Sequence, residues 1–291
     1  MLNFDKNTEN YILTVQCPAG IGIVAAISGY FSDNHCYICA LGQFDSLDNG
    51  NFFLRMVFKR QENSPDIEEL ESEFESVAQV FDMVWHLYTD QQAVKTVIMV
   101  SRFDHCLDDL LYRKRHGELN LDITAIVSNH QDCRPMVERE GIRFIHLPID
   151  KDKRNKPEQE QRLLKIVEET GAELVVLARY MQILSDALSK ELNGRCINIH
   201  HSFLPGFKGA SPYRQAFNRG VKVIGATAHY VTSDLDEGPI IEQRLSRVDH
   251  NYTPDDLVRI GRDNESMALA KAVKYHIERR VFIDGKKTVI F

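Results

Sequence analysis

Asn198 and His200 stand two residues apart in Cys196-Ile-Asn-Ile-His-His-Ser-Phe-Leu-Pro-Gly-Phe207, an apolar run that ends in a Pro/Gly turn. On an extended strand, residues i and i+2 leave from the same face, so the amide and the imidazole would emerge side by side. A second apolar run, Ala226-Thr-Ala-His-Tyr-Val231, leads into the acidic loop Thr232-Ser-Asp-Leu-Asp-Glu-Gly-Pro239, which carries Asp236. An amide donor, an imidazole and a carboxylate suit acyl chemistry: the amide holds a developing oxyanion, and the other two move protons. Asp234 and Glu237 flank Asp236, so the pattern alone leaves the choice of carboxylate open. Taken singly, Asn198 could equally cap a turn and His200 could be a hydrogen-bonded core histidine. His201 points away from His200 on an extended backbone, and with His229 it makes only a weak zinc pattern; no metal is expected.

The elements that must hold these residues divide near residue 90. Over 8–90 the order is βαββαβ: strands at 11–16, 37–44, 51–59 and 81–88, and helices at 23–32 and 65–79. Asp48-Asn49-Gly50 joins the second and third strands as a hairpin. This order predicts a ferredoxin-like sandwich. Residues 94–291 alternate strand and helix, with strands at 95–101, 122–128, 143–147, 173–178, 195–199 and 221–231, helices at 104–115, 133–140 and 157–170, and a long closing helix at 254–279. A hairpin around Asp284-Gly285 ends the chain. Such alternation predicts a doubly wound, mostly parallel sheet, with its active crevice outside the carboxyl ends of the strands. Asn198, His200 and Asp236 are expected at or just beyond such ends.

Composition narrows the function classes. The chain has 291 residues, 43% of them hydrophobic, enough for two packed cores. Its formal net charge of -7 argues against a nucleic-acid partner, which needs a basic face. No apolar run approaches the ~20 residues that span a bilayer, and the N-terminus lacks a secretory pattern, so a cytoplasmic protein without a membrane partner is expected. The six cysteines are scattered, and Cys36-Tyr-Ile-Cys39 has no second pair to complete a metal site. The turn after the strand at 95–101, Ser101-Arg-Phe-Asp-His-Cys106, is neither a GxGxxG nor a Walker A loop, which disfavours dinucleotide and nucleoside triphosphate cofactors.

Residues 10–90 resemble the ACT domains, small-ligand sensing modules fused to metabolic enzymes. Many of these carry an Asp-x-x-Gly turn after the first strand; here the turn is Cys17-Pro-Ala-Gly-Ile-Gly22 and the Asp is missing. The resemblance implies either an amino-acid effector or an oligomerisation role; the apolar strands of this unit favour edge-to-edge pairing between subunits, so a homodimer or homotetramer is expected.

Residues 196–240 resemble the 10-formyltetrahydrofolate-dependent family, through Asn198-x-His200, the Leu204-Pro205 turn, and Asp236 ahead of Gly238. The chain is most similar to the deformylase branch, which joins an ACT domain to this catalytic domain; the carrying segments are Ile199–Pro205 and Gly225–Val231. The resemblance implies hydrolysis of 10-formyltetrahydrofolate, a substrate and not a cofactor, to formate and tetrahydrofolate. That activity would balance the one-carbon pool and supply formate for purine synthesis. It implies Asn198, His200 and Asp236 as catalytic groups, and a pterin pocket at Arg179-Tyr-Met-Gln-Ile-Leu184, where Met181, Gln182 and Leu184 face Val231. His105 and His229 are candidates for shaping the water site, and Lys208, Gly209 and Tyr213 for the entrance. The bulky Arg102–Cys106 turn departs from the small phosphate-binding turn of the ribonucleotide transferase and would fill the acceptor site, leaving water as nucleophile. Transfer to an amine, and a non-enzymatic folate or amino-acid sensor, are the alternatives.

Overall fold

Alternating apolar residues drive the first sheet. In Tyr11–Pro18 (β1) Leu13, Val15 and Cys17 are buried, and in Asn51–Lys59 (β3) so are Phe52, Leu54, Met56 and Phe58. The computed structural model describes residues 9–204 and 212–291. The two strands pair antiparallel, with Tyr37–Asp45 (β2) outside β3 and Val84–Thr89 (β4) outside β1, giving the order β2-β3-β1-β4. Helices Ile23–Asp33 (α1) and Ile67–Val80 (α2) bury Ile23, Ile27, Phe31, Leu70 and Phe74 in the same core. Asp66 caps α2 by accepting from the Glu69 amide at 2.8 Å, satisfying one of the free N–H groups of the first turn. This is the ferredoxin-like arrangement that the βαββαβ order predicted.

Two short segments depart from a division at residue 93. Glu278–Asp284 and Val289–Phe291 cluster with this first unit, whereas the sequence reading put all of 94–291 in the second. Strands Val281–Asp284 (β12) and Lys287–Ile290 (β13) form a hairpin. Asp284 accepts from Ser46 Oγ at 2.8 Å, and Arg55 donates to the Glu278 carbonyl at 2.9 Å.

The second unit is built on near-continuous apolar strands, as buried parallel strands require. Val94–Val100 (β5) and Leu174–Leu177 (β8) are almost wholly buried. With Leu121–Ser128 (β6), Phe144–His146 (β7), Cys196–His200 (β9), Val223–Tyr230 (β10) and Ile240–Arg247 (β11) they form a seven-stranded sheet ordered β11-β10-β9-β8-β5-β6-β7. The pairs from β7 to β9 are parallel; β10 runs against both its neighbours. His105–Arg115 (α3), Arg134–Arg139 (α4), Lys156–Thr170 (α5), Asp186–Glu191 (α6), Pro212–Arg219 (α7) and Pro254–Ile277 (α8) complete the unit. Pro157 at the start of α5 and left-handed Gly171 at its end (φ +62°) bracket that helix as its sequence predicts.

Candidate functional site

The pleat of β9 puts Asn198 and His200 on one face of the sheet, as their spacing requires. The antiparallel register with β10 sets His229 directly opposite Asn198 and Thr227 opposite His200. His229 Nδ1 lies 2.8 Å from the Tyr230 carbonyl, to which only an N–H can donate, so Nε2 carries the lone pair. The Asn198 amide then donates one N–H to that nitrogen at 3.2 Å and keeps its second N–H available. Thr227 Oγ donates to the Ser202 carbonyl and accepts from the Leu204 amide, each at 3.1 Å. Gln243 donates to the Leu204 carbonyl at 3.0 Å. These bonds pin the turn that follows His200.

Asp236 arrives by a route the sequence did not suggest. A loop at the carboxyl end of a parallel strand was expected, but β10 is antiparallel, and the loop leaves it beside the start of β9, where the Val231 amide donates to the Cys196 carbonyl. It then folds back until Asp236 Oδ1 is 3.2 Å from His200 Nδ1 and 3.9 Å from His229 Nε2. Asp236 has φ +57°, a left-handed conformation that a non-glycine residue adopts only when its surroundings hold it there. Gly238 is part of that hold: a Cβ at this position would overlap the Tyr230 carbonyl oxygen.

The electrostatics follow from this geometry. Burial pushes the Asp236 carboxyl upward, but its hydrogen bond to His200 and the nearby His229 and His201 outweigh burial and hold it below the ordinary carboxylate value. Burial lowers His229, keeping it neutral as the tautomer above requires. His201 is lowered to about 4 by burial, with Arg179 and His200 adding to the shift. His200 Nδ1 faces Asp236, while Nε2 is buried and has no hydrogen-bond partner among the described residues.

A cleft of about 290 Å³ opens over these groups. Asn198, His200 and His229 line it, with Tyr180, Met181, Gln182, Ile183 and Leu184 along one side and Val231–Asp236 along the other. Met181, Gln182, Leu184 and Val231 therefore converge with the polar trio.

The structure separates the remaining candidates. His105 and Tyr213 do not line the cleft; both bind Glu265 of α8, His105 Nε2 at 2.7 Å and Tyr213 Oη at 2.6 Å. Gly209 and Lys208 lie outside the described residues. Arg179, expected with the pterin segment, turns at φ +62° and sets its Nε 3.3 Å from Glu265. Glu265 was missed because a lone carboxylate in a long charged helix carries no local signal. His105, Cys106 and Glu265 are, among the described residues, the three side chains with metal-ligand spacing. They suit a metal poorly. Arg179 and Tyr213 occupy the carboxylate, and burial pushes the Cys106 thiol far up, which keeps it protonated.

The mostly parallel sheet, with Asn, His and Asp over one face at its β9–β10 seam, defines a class: the chain belongs to the formyl transferase family, whose model matches residues 94–273. A glycinamide ribonucleotide transformylase from Symbiobacterium toebii superposes with TM-score 0.65 at 28% identity, covering 71% of this chain and 98% of its own. Within that family the chain belongs to the formyltetrahydrofolate deformylases. It is 54% identical to the formyltetrahydrofolate deformylase of Corynebacterium sp. strain P-1, over 96% of this chain and 97% of the relative. It is 43% identical to that of Bacillus subtilis strain 168, over 99% and 95%. The crystal structure of the Burkholderia mallei deformylase matches with TM-score 0.93 at 51% identity, covering 97% and 99%.

Proposed function

We propose that this chain hydrolyses 10-formyltetrahydrofolate to formate and tetrahydrofolate, balancing the one-carbon pool and supplying formate for purine synthesis. The observation that carries this reading is the His200–Asp236 pair, whose Nε2 has no partner among the described residues, set in a cleft beside an amide whose donor is aimed by His229. Water adds to the formyl carbon, and the Asp236–His200 pair takes its proton. Asn198 and the imidazolium donate to the tetrahedral oxyanion, where charge-assisted donors act most strongly. The C–N10 bond then breaks, and the pair returns the proton to N10. Met181, Gln182, Leu184 and Val231 bind the pterin end of the folate, which enters as substrate.

Transfer to an amine and folate sensing without turnover are the competing outcomes. Formate release from 10-formyltetrahydrofolate with no acceptor present separates them. Rapid release that Asp236→Asn abolishes supports hydrolysis. Turnover only on adding an amine would make the chain a transferase, and binding without turnover a sensor.

The N-terminal unit serves as an ACT domain that binds an amino-acid effector or joins subunits. Its outer strand β2 is largely exposed, with Tyr37, Leu41 and Phe44 at the surface, which suits edge pairing in a homodimer or homotetramer. The six cysteines are unpaired, as a reducing cytoplasm favours. No helix among the described residues is long and apolar enough to cross a membrane.

A further inference from the structure

We propose that Glu265 and the three side chains locked to it form a built-in stopper that bars amine acceptors from the formyl group and leaves water as the only nucleophile. The inference rests on the hydrolytic reading above and assigns its selectivity to particular residues.

The strand order carries the argument. Chain order runs from β5 outward to β6 and β7 on one side and to β8 and β9 on the other, so the order of strand addition reverses between the parallel neighbours β5 and β8. At such a switch point the loops beyond the two carboxyl ends part and leave a crevice, the usual entry for a substrate in an open α/β sheet. Here that crevice is filled from inside. Arg179 comes from the loop after β8, and His105 is the first residue of α3, which follows the turn after β5. The two loops are stitched together by the Met181 amide donating to Ser101 Oγ at 2.9 Å. Arg179 Nε and His105 Nε2 both approach Glu265 Oε2, at 3.3 and 2.7 Å, while Tyr213 Oη donates to Oε1 at 2.6 Å.

The cluster is largely buried and held in place. Glu265 is 1% exposed, and the side chains of Arg179 and His105 are 10% and 16% exposed. Gly261, one turn before Glu265 on α8, lets the Tyr213 ring lie against the helix; a Cβ there would overlap it. The cluster also borders the reacting centre. His201 senses the charges of both Arg179 and Glu265, and its ring stacks on His200 with centroids 5.1 Å apart. The open cleft lies elsewhere, between Tyr180–Leu184 and Val231–Asp236.

Chemically the choice is between two acceptors for the same carbon. The N10–C bond breaks in both. With water the carbon gains oxygen, giving formate and a proton. With an amine it gains nitrogen, the displaced amine proton goes to N10, and a formamide results. Competition between them reads the stopper directly.

Full-length wild type, His105→Gly and Glu265→Gln are incubated with 10-formyltetrahydrofolate and either hydroxylamine or the larger glycinamide, and formate and formylated amine are quantified. Wild type should yield almost only formate. His105→Gly should raise the ratio of formylated amine to formate by about tenfold or more, with a larger gain for glycinamide than for hydroxylamine. Glu265→Gln, which loosens the lock without removing bulk, should fall between. His105→Ser is the milder second variant if the glycine variant does not fold by circular dichroism. An unchanged ratio in the folded variants, with formate release continuing, would overturn the stopper while leaving hydrolysis standing. A wild type that releases no formate without an amine but formylates one would overturn both.

Discussion

His229 sits across the sheet from Asn198 and accepts its amide hydrogen at 3.2 Å, because its own Nδ1–H is committed to the Tyr230 carbonyl. The amide group that would face an oxyanion is thus aimed by a histidine that is itself aimed by backbone. Asn198→Ala should lower kcat by about 100- to 1000-fold, the usual loss for one oxyanion donor. His229→Ala, which removes only the aiming, should cost less in kcat than Asn198→Ala and leave KM for the folate nearly unchanged. Steady-state kinetics on both variants checks this; a His229→Ala loss that falls wholly on KM would contradict it.

Asp236 Oδ1 lies 3.2 Å from His200 Nδ1, and in the proposed reaction the carboxylate would orient that imidazole. Asp236→Asn keeps the size of the side chain and removes the charge, so we expect kcat to fall by about 100- to 10,000-fold, in the range of general acid–base contributions. The near-ultraviolet circular dichroism spectrum should be unaltered. Retention of more than a tenth of wild-type turnover would remove Asp236 from the chemistry.

Gly238 is required by contact, since its left-over space is already taken by the Tyr230 carbonyl oxygen. Gly238→Ala must displace the 231–239 loop and carry Asp236 away from His200. Turnover should drop at least tenfold while the thermal transition of the protein moves far less than for a core truncation, because the loop lies over the sheet and not within its core. Rescue of activity would not be expected at any substrate concentration, which a full saturation curve tests.

Glu265 is a buried carboxylate that compensates Arg179 and His105. Removing it strands the Arg179 charge in a buried site, where breaking one side of an ion pair costs about 3–5 kcal/mol. Glu265→Ala should show that loss in urea unfolding, and Glu265→Gln a smaller one. The carboxyl is held below its ordinary value by His105, Arg179 and Tyr213 against the opposing effect of burial.

Stability should also fall in mild acid through His201. Its folded pKa of about 4 lies below the ordinary 6.5, because burial and Arg179 disfavour the charged ring. The unfolded chain therefore binds a proton that the folded chain refuses. The stabilising contribution is complete above about pH 6.5 and is lost as pH falls toward 4. Thermal melts between pH 7 and 4.5 should show a drop that His201→Gln lessens; parallel curves for the two proteins would exclude this origin.

What the chain encodes locally was readable from it. Period-two alternation in Cys196–His200 is a property of five consecutive residues, so the shared face of Asn198 and His200 needed no tertiary knowledge. The same holds for α5 between Pro157 and Gly171, and for the βαββαβ order of the first 90 residues. Two helices and a strand escaped for the converse reason: α6 is only six residues long, α7 is polar, and β11 is an edge strand with Ile241 its one buried residue. The site was decided by pairings that no local pattern contains. Asn198 meets His229 across 31 residues, and His105 meets Glu265 across 160. The direction of β10 depends on how the chain crosses the sheet, and it determines that His229 stands opposite Asn198 and that Asp236 must fold back to reach His200. Only the packed sheet distinguishes Asp236 from its acidic neighbours and turns Arg179 toward Glu265, because both outcomes rest on distances between strands that the sequence does not bring together.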